Sequence, residues 1–283
     1  MHKTIAFPHR AATKYYQSHW MAFSIAAKHA DWNVQLYDMP RRDKRGFIVK
    51  SNGVRILIDH GDLKTLAVDV DDFKLCFKYH WNEQHCSDRP NVHPWSPITF
   101  YNWFEFDELR RKFETDFMSH PHPRVRIAAN QIPYAGARSR RLRVHDMLRR
   151  EFGKRVDTKI KEQKTFWRHA YGAMCAVCVP GQRNDILDRG QLQLMAFGVP
   201  TVSPKLSTVL PDGVSPVPGR HYFQCRSDYS DLIDVVKYID ANPEHARRIG
   251  NAARSMFNRN CLPEILMFHF FSKLYAVVKN AIS

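Results

Sequence analysis

The sequence is poor in the features that mark several large classes of protein. Six cysteines in 283 residues are too few to staple a chain of this length into a disulfide scaffold, and they point to a reducing compartment. Its uncharged apolar runs fall far short of the 18 or so residues that a membrane span needs. Residues Met1–Pro8 (MHKTIAFP) lack the apolar core of about 7–15 residues that a secretory signal carries. With 12 glycines and 16 prolines, neither a collagen-like repeat nor low-complexity disorder is indicated. What is left is a globular protein expected in the cytoplasm, long enough for one large domain or two of about 100–150 residues.

Net charge is small in one half and large in the other. The net charge is +15, yet residues 1–120 hold 17 Lys+Arg against 15 Asp+Glu, whereas residues 121–283 hold 26 against 13. Ten basic side chains fall within residues 124–155 (Arg124, Arg126, Arg138, Arg140, Arg141, Arg143, Arg149, Arg150, Lys154, Arg155), opposed only by Asp146 and Glu151. Such an imbalance points to a polyanion partner, either nucleic acid or a phosphorylated small molecule, while a merely solvated basic helix face is a common alternative.

The order of elements reads as strands alternating with helices. Thr4–Pro8 is a short β-rich run, and Tyr16, Trp20, Phe23 and Ala27 mark one face of a helix over Tyr15–Ala30. Asn33–Met39 is a second strand. Phe47–Lys50 and Val54–Asp59 flank Ser51-Asn52-Gly53, a hairpin signal because Asn-Gly accepts positive φ. Phe73–Tyr79 is a strand, Trp81–Pro97 a loop, Glu105–Phe117 a helix and Ser119–Pro123 a proline linker. The second half repeats the alternation, with strands at Val125–Ala129, Val156–Ile160, Ala173–Val179 and Val199–Val202. Helices are expected at Arg141–Phe152, Thr165–Gly172, Gly190–Phe197, Ser230–Ala241, Glu244–Asn258 and Leu262–Ala281. Strands alternating with helices predict an α/β protein with two doubly wound domains around the linker and a cleft between them, where ligands bind beyond the carboxyl ends of the strands.

The densest chemistry lies in Ala176–Val202. A strand runs into Pro180-Gly181, then a polar loop with Arg183 and Arg189, then a helix, then Gly198-Val199-Pro200 and another strand. A helix that begins after such a loop points free N–H groups and its positive end at whatever fills the site. Arginine forks beside it suit a diphosphate, although a plain strand–helix–strand unit with surface arginines fits the spacing equally.

Cys178–Gly181 (CVPG), Asp188-Arg189 and Ala196–Val202 (AFGVPTV) resemble the donor-binding region of GT-B glycosyltransferases, most of all the exostosin-like and the capsular and protein O-glucosyl/xylosyltransferase families. Gly219–Phe223 (GRHYF) followed by Ser227–Leu232 (SDYSDL) is similar to their segment at the edge of the donor site, and Asn242–Phe257 to their closing helices. The likeness covers about residues 120–260 and is weak before them. It implies two Rossmann-like domains of GT-B type: 1–120 on the acceptor side, 121–260 for the nucleotide sugar, and 261–283 as a helix crossing back toward the first. It implies donor contacts at Arg138, Arg141, Gly181, Gln182, Arg183, Asp188, Arg189 and Gln193. Many relatives carry Glu where Gln193 stands; glutamine still hydrogen-bonds ribose hydroxyls, without charge assistance.

An inverting transferase also needs a base for the acceptor hydroxyl. The acidic and imidazole groups of Ile56–Asp62 (ILIDHGD) end a strand, Gly61 can turn them, and Lys78-Tyr79-His80 ends the next strand. Asp62 is the expected base, with Asp59 and His80 behind it; a turn whose aspartates cap the following helix is the alternative. Asp69-Val70-Asp71 reads as a polar turn and Cys175/Cys178 as buried structural thiols, since residues three apart on a strand face opposite sides. His85, Cys86 and His93 lack a fourth ligand, so no metal site is expected. Taken together, the expectation is a bacterial or viral (large-DNA-virus) transferase. It moves a sugar, xylose or glucose by the resemblance, from a UDP-sugar to a glycan or glycoprotein hydroxyl with inversion. No cofactor or metal is required beyond the donor, and neither a nucleic-acid partner nor a membrane span is expected. The alternatives are a nucleic-acid-binding protein using the 124–155 stretch, or an inactive sugar-binding relative.

Overall fold

A computed structural model describes residues 4–8, 33–37, 46–51, 53–61, 65–66, 69–97, 103–119, 126–133, 136–181 and 183–280. The helix expected at Tyr15–Ala30 and the His120–Pro123 part of the linker lie outside these residues. The chain divides into two compact units. Unit 1 comprises Met1–Trp103, Thr208–Val214 and Arg259–Ser283; unit 2 comprises Phe104–Ser207 and Ser215–Asn258.

Unit 1 is built on a six-stranded sheet in the order β2-β1-β3-β4-β5-β6, from β1 (Thr4–Pro8), β2 (Asn33–Tyr37), β3 (Gly46–Ser51), β4 (Val54–Asp59), β5 (Leu75–Lys78) and β6 (Val92–Pro94). β3 and β4 form the antiparallel hairpin that Asn-Gly encodes, with Gly53 at φ 78°; only glycine holds that backbone without strain. β4, β5 and β6 run parallel. The stretch expected as a loop over Trp81–Pro97 holds more structure than its composition shows: a single helical turn, α1 (Glu83–Cys86), capped by Asn82, and β6. A proline ends β6, and because this is the sheet edge its missing N–H leaves no ladder bond unmade.

Unit 2 carries a five-stranded, all-parallel sheet in the order β11-β10-β9-β7-β8. Its elements in chain order are α2 (Trp103–Ser119, in unit 2 from Phe104), β7 (Ile127–Ala128), α3 (Arg138–Phe152), β8 (Val156–Asp157), α4 (Gln163–Tyr171), β9 (Cys175–Val177), α5 (Arg189–Ala196), β10 (Thr201–Ser203), β11 (Phe223–Gln224), α6 (Leu232–Ala241) and α7 (Pro243–Asn260). The central strands β7 and β9 are short, apolar and buried, as strands covered on both faces must be. Ile127, Cys175, Val177, Val202 and Phe223 share one core with Val144 and Leu148 of α3 and Leu232, Val236 and Ile239 of α6. On α2, Phe106 and Phe113 pack against Phe197, and Phe113 stacks on Tyr171 at 3.8 Å.

Two glycines set a close approach in unit 2. Gly198 ends α5 at φ 75°, and a Cβ built on Gly250 of α7 would collide with the Gly198 carbonyl. The last helix, α8 (Pro263–Asn280), belongs to unit 1, where Phe270 stacks on Phe77 of β5 with centroids 5.0 Å apart. No single described helix is long and apolar enough to cross a membrane.

Candidate functional site

Strand order locates the site in unit 2. The chain passes from β7 to β8 on one side, then returns to place β9 on the other side of β7. In sheets of this kind ligands bind where the order reverses, which here is beyond the carboxyl ends of β7 and β9. The residues that leave those strands are Ala129–Gln131 and Cys178–Gly181, and α5 begins a short loop later.

Side chains clamp this exit. The Arg141 guanidinium is buried; its Nε and Nη2 donate to the Val179 carbonyl at 3.0 and 2.8 Å, and its Nη1 donates to the Ile132 carbonyl at 2.6 Å. Gln131 accepts from Val179 N and donates to Asp188 Oδ2 at 3.0 Å. Asp188 caps α5 by accepting from Gln191 N at 2.8 Å, and its other oxygen lies 3.6 Å from Arg141 Nη2. Arg140 donates to the carbonyls of Pro180 and Gly181. Both backbone groups of Val179 and the start of α5 are therefore fixed by Arg141, Gln131 and Asp188, and Arg140 holds the next two carbonyls; neither Gln131 nor Arg140 was among the expected donor contacts. Farther along the loop, Tyr229 donates to Asn184 Oδ1 at 2.6 Å, and Asn184 in turn donates to the Ser227 carbonyl. Burial pushes the Tyr229 hydroxyl well above its ordinary range, with Cys225 adding to the effect.

The remaining expected donor contacts divide into spent and unspent groups. Arg138 is exposed at the first turn of α3, and Arg189 is half-buried at the first turn of α5. Neither has an ionic or hydrogen-bonded side-chain partner among the described residues, and the N–H groups of Arg189 and Gly190 find no acceptor there. Arg183 is exposed, with Nε 3.7 Å from Asp185 Oδ1. Gln193 is buried, and its Oε1 accepts from Trp167 Nε1 at 3.2 Å. Gln182 lies outside the described residues. Cys175 and Cys178 are fully buried; burial raises the Cys175 thiol to about 12 and drives Cys178 up as well, so neither is a thiolate at neutral pH.

In unit 1, β4 and β5 are neighbours, so their carboxyl ends meet. The register pairs Asp59 with Lys78, and Lys78 Nζ lies 3.2 Å from Asp59 Oδ1, both side chains fully buried. Asp59 Oδ1 also accepts from Gly61 N at 2.8 Å, while Lys78 donates to the Gly61 carbonyl at 2.9 Å. His80 follows at φ 47°, buried, with Nδ1 3.4 Å from Thr208 Oγ1. Asp62 lies outside the described residues. Asp69 Oδ1 accepts from Asp71 N, an Asx turn. Among the described residues, no three His, Cys, Asp or Glu side chains gather as metal ligands would.

No protein-family model and no curated protein matches the sequence. Among solved structures, a glycosyltransferase from Rickettsia africae is similar at a TM-score of 0.52 and 10% identity, over 96% of this chain and 83% of that one. HepE from Anabaena in complex with UDP matches at 0.47 and 11% identity, over 73% of this chain and 65% of that one. This chain therefore spans just under two thirds of the HepE length. Sucrose-phosphate synthase from Thermosynechococcus elongatus matches at 0.47 and 13% identity, over 97% and 74% of the two chains. At such identities the likeness speaks to fold. The protein is α/β, with two parallel-rich sheets in two Rossmann-like units of GT-B type and helices at the C-terminus.

Proposed function

We propose that the protein is a glycosyltransferase. It would transfer a sugar, xylose or glucose, from a UDP-sugar to a hydroxyl of a glycan or glycoprotein, with inversion and without a metal. The observation that carries this reading is the unspent positive charge at the switch point of unit 2. Arg138, Arg189 and the first N–H groups of α5 have no acceptor among the described residues, beside a strand exit held by Arg141, Gln131 and Asp188. A diphosphate supplies the missing acceptors. UDP in particular, and the choice of sugar, rest on the sequence resemblance.

In this mechanism the acceptor oxygen attacks the anomeric carbon. The bond from that carbon to the phosphate oxygen breaks, and its electron pair leaves with UDP. Arg138, Arg183, Arg189 and the end of α5 neutralise the departing charge. Arg141 serves from behind, since its guanidinium is already bound to carbonyls, and Gln193 has only its amide N–H groups left to offer a ribose hydroxyl. Asp62 takes the acceptor proton. Asp59 and His80, both buried, fix the strand ends rather than meet the acceptor.

UDP-sugar hydrolysis and UDP-induced thermal shifts test the proposal. Arg183→Ala and Arg189→Ala should each weaken UDP by about tenfold or more, Asp62→Asn should abolish turnover without changing UDP affinity, and EDTA should change neither. UDP affinity indifferent to both arginines would remove the donor site, and full activity in Asp62→Asn would remove the base.

A further inference from the structure

The outer edge of α3 shows three aliphatic side chains that the fold leaves in water. Leu142 is 41% exposed, Ile132 56% and Ile160 59%. α3 buries Arg141, Val144, His145 and Leu148, and Leu142 and Arg149, seven residues apart, share the flank that adjoins this stripe. That edge adjoins the exit of β8, because Arg149 Nη2 donates to Thr158 Oγ1, two residues before Ile160. The segment after β7 joins the same surface: Asn130 donates to the Lys159 carbonyl at 2.8 Å, and the Ile132 carbonyl accepts from Arg141. Arg149, Arg150 and Lys159 are exposed around the aliphatic groups, with Asp146 the exposed acid on this arc of the helix.

We propose that this face binds the surface of a membrane rich in acidic phospholipid. Cations alone suit any polyanion, but aliphatic side chains set among them match a partner with an anionic layer directly above an apolar one. Ile132, Leu142 and Ile160 enter the boundary between headgroups and acyl chains, while the arginine and lysine stems lie along it with their charges among the phosphates. The attachment is peripheral and reversible, and it does not depend on sugar transfer.

The test is co-sedimentation of the full chain with vesicles of phosphatidylcholine alone or mixed with phosphatidylglycerol, at low and high salt, with no donor present. The protein should sediment only with the acidic vesicles and be released as salt rises. Arg150→Glu and Lys159→Glu should each lower the partition coefficient at least about fivefold. The double variant Leu142→Asp/Ile160→Asp should abolish sedimentation while its UDP-induced thermal shift stays at the parent value, which separates this face from the donor site. Failure to bind acidic vesicles at low salt overturns the proposal. So does undiminished binding by the double variant, or a preference for single-stranded RNA over the vesicles, which would give the face to a soluble polyanion.

Discussion

The carboxyl end of β4 and β5 in unit 1 and the exit of β9 in unit 2 are both crowded with charge, but they use it differently. In unit 1 the charges face one another: Asp59 and Lys78 are a fully buried pair, closed by the backbone of Gly61. In unit 2 two arginines, Arg140 and Arg141, are spent on carbonyls, while two others, at the first turns of α3 and α5, remain without partners among the described residues. Burial and partner count, rather than residue type, separate the two uses of charge.

Three measurements can break or sharpen that contrast. The largest effect is expected in unit 1, where Lys78→Met strands a buried carboxylate and should cost about 3–5 kcal/mol in urea unfolding. Asp59→Leu/Lys78→Met should restore most of that stability; no recovery would mean the pair does more than balance itself. In unit 2, Arg141→Met leaves the Val179 and Ile132 carbonyls unpaired and should cost about 3 kcal/mol. Arg189→Ala should stay within about 0.5 kcal/mol of the parent while losing UDP, and equal destabilisation by the two would erase the distinction. The third is acid sensitivity. Burial, reinforced by Lys273 and His269, lowers His93 from its ordinary 6.5 to about 4. The unfolded chain therefore takes up this proton first, and the contribution present above pH 6.5 is lost as pH falls toward 4. His93→Gln should flatten the stability curve across that window; an unchanged slope would assign the loss elsewhere, for instance to His145 of unit 2, which burial also lowers.

Much of the fold was legible because local chemistry and global order agree. Asn-Gly set the hairpin, and the runs at Val125–Ala129, Val156–Ile160, Ala173–Val179 and Val199–Val202 placed β7 to β10 to within a few residues, while the two-residue β11 was not expected. β6 was hidden because a three-residue edge strand ending in proline has no pattern of its own. The Asp59–Lys78 pair was hidden because a pairing register is not a local property. The burial of Arg141 did have a signal: with Val144, His145 and Leu148 it forms the spacing i, i+3, i+4, i+7 of a helix's inner face. Its neighbour three positions earlier, Arg138, is close to His145 in helical phase but sits at the first turn and stays in solvent. Position along the helix thus distinguishes two arginines that composition treats alike.

The meeting of Gly250 with Gly198 carries a lesson for anyone who would engineer this chain. Where main chain rests on main chain, no rotamer can yield and no side chain can be trimmed to make room. In a saturation library, position 250 should tolerate nothing but what it already has. Truncations or grafts in this half will succeed only if they carry α7 and the turn after α5 together, as one indivisible part.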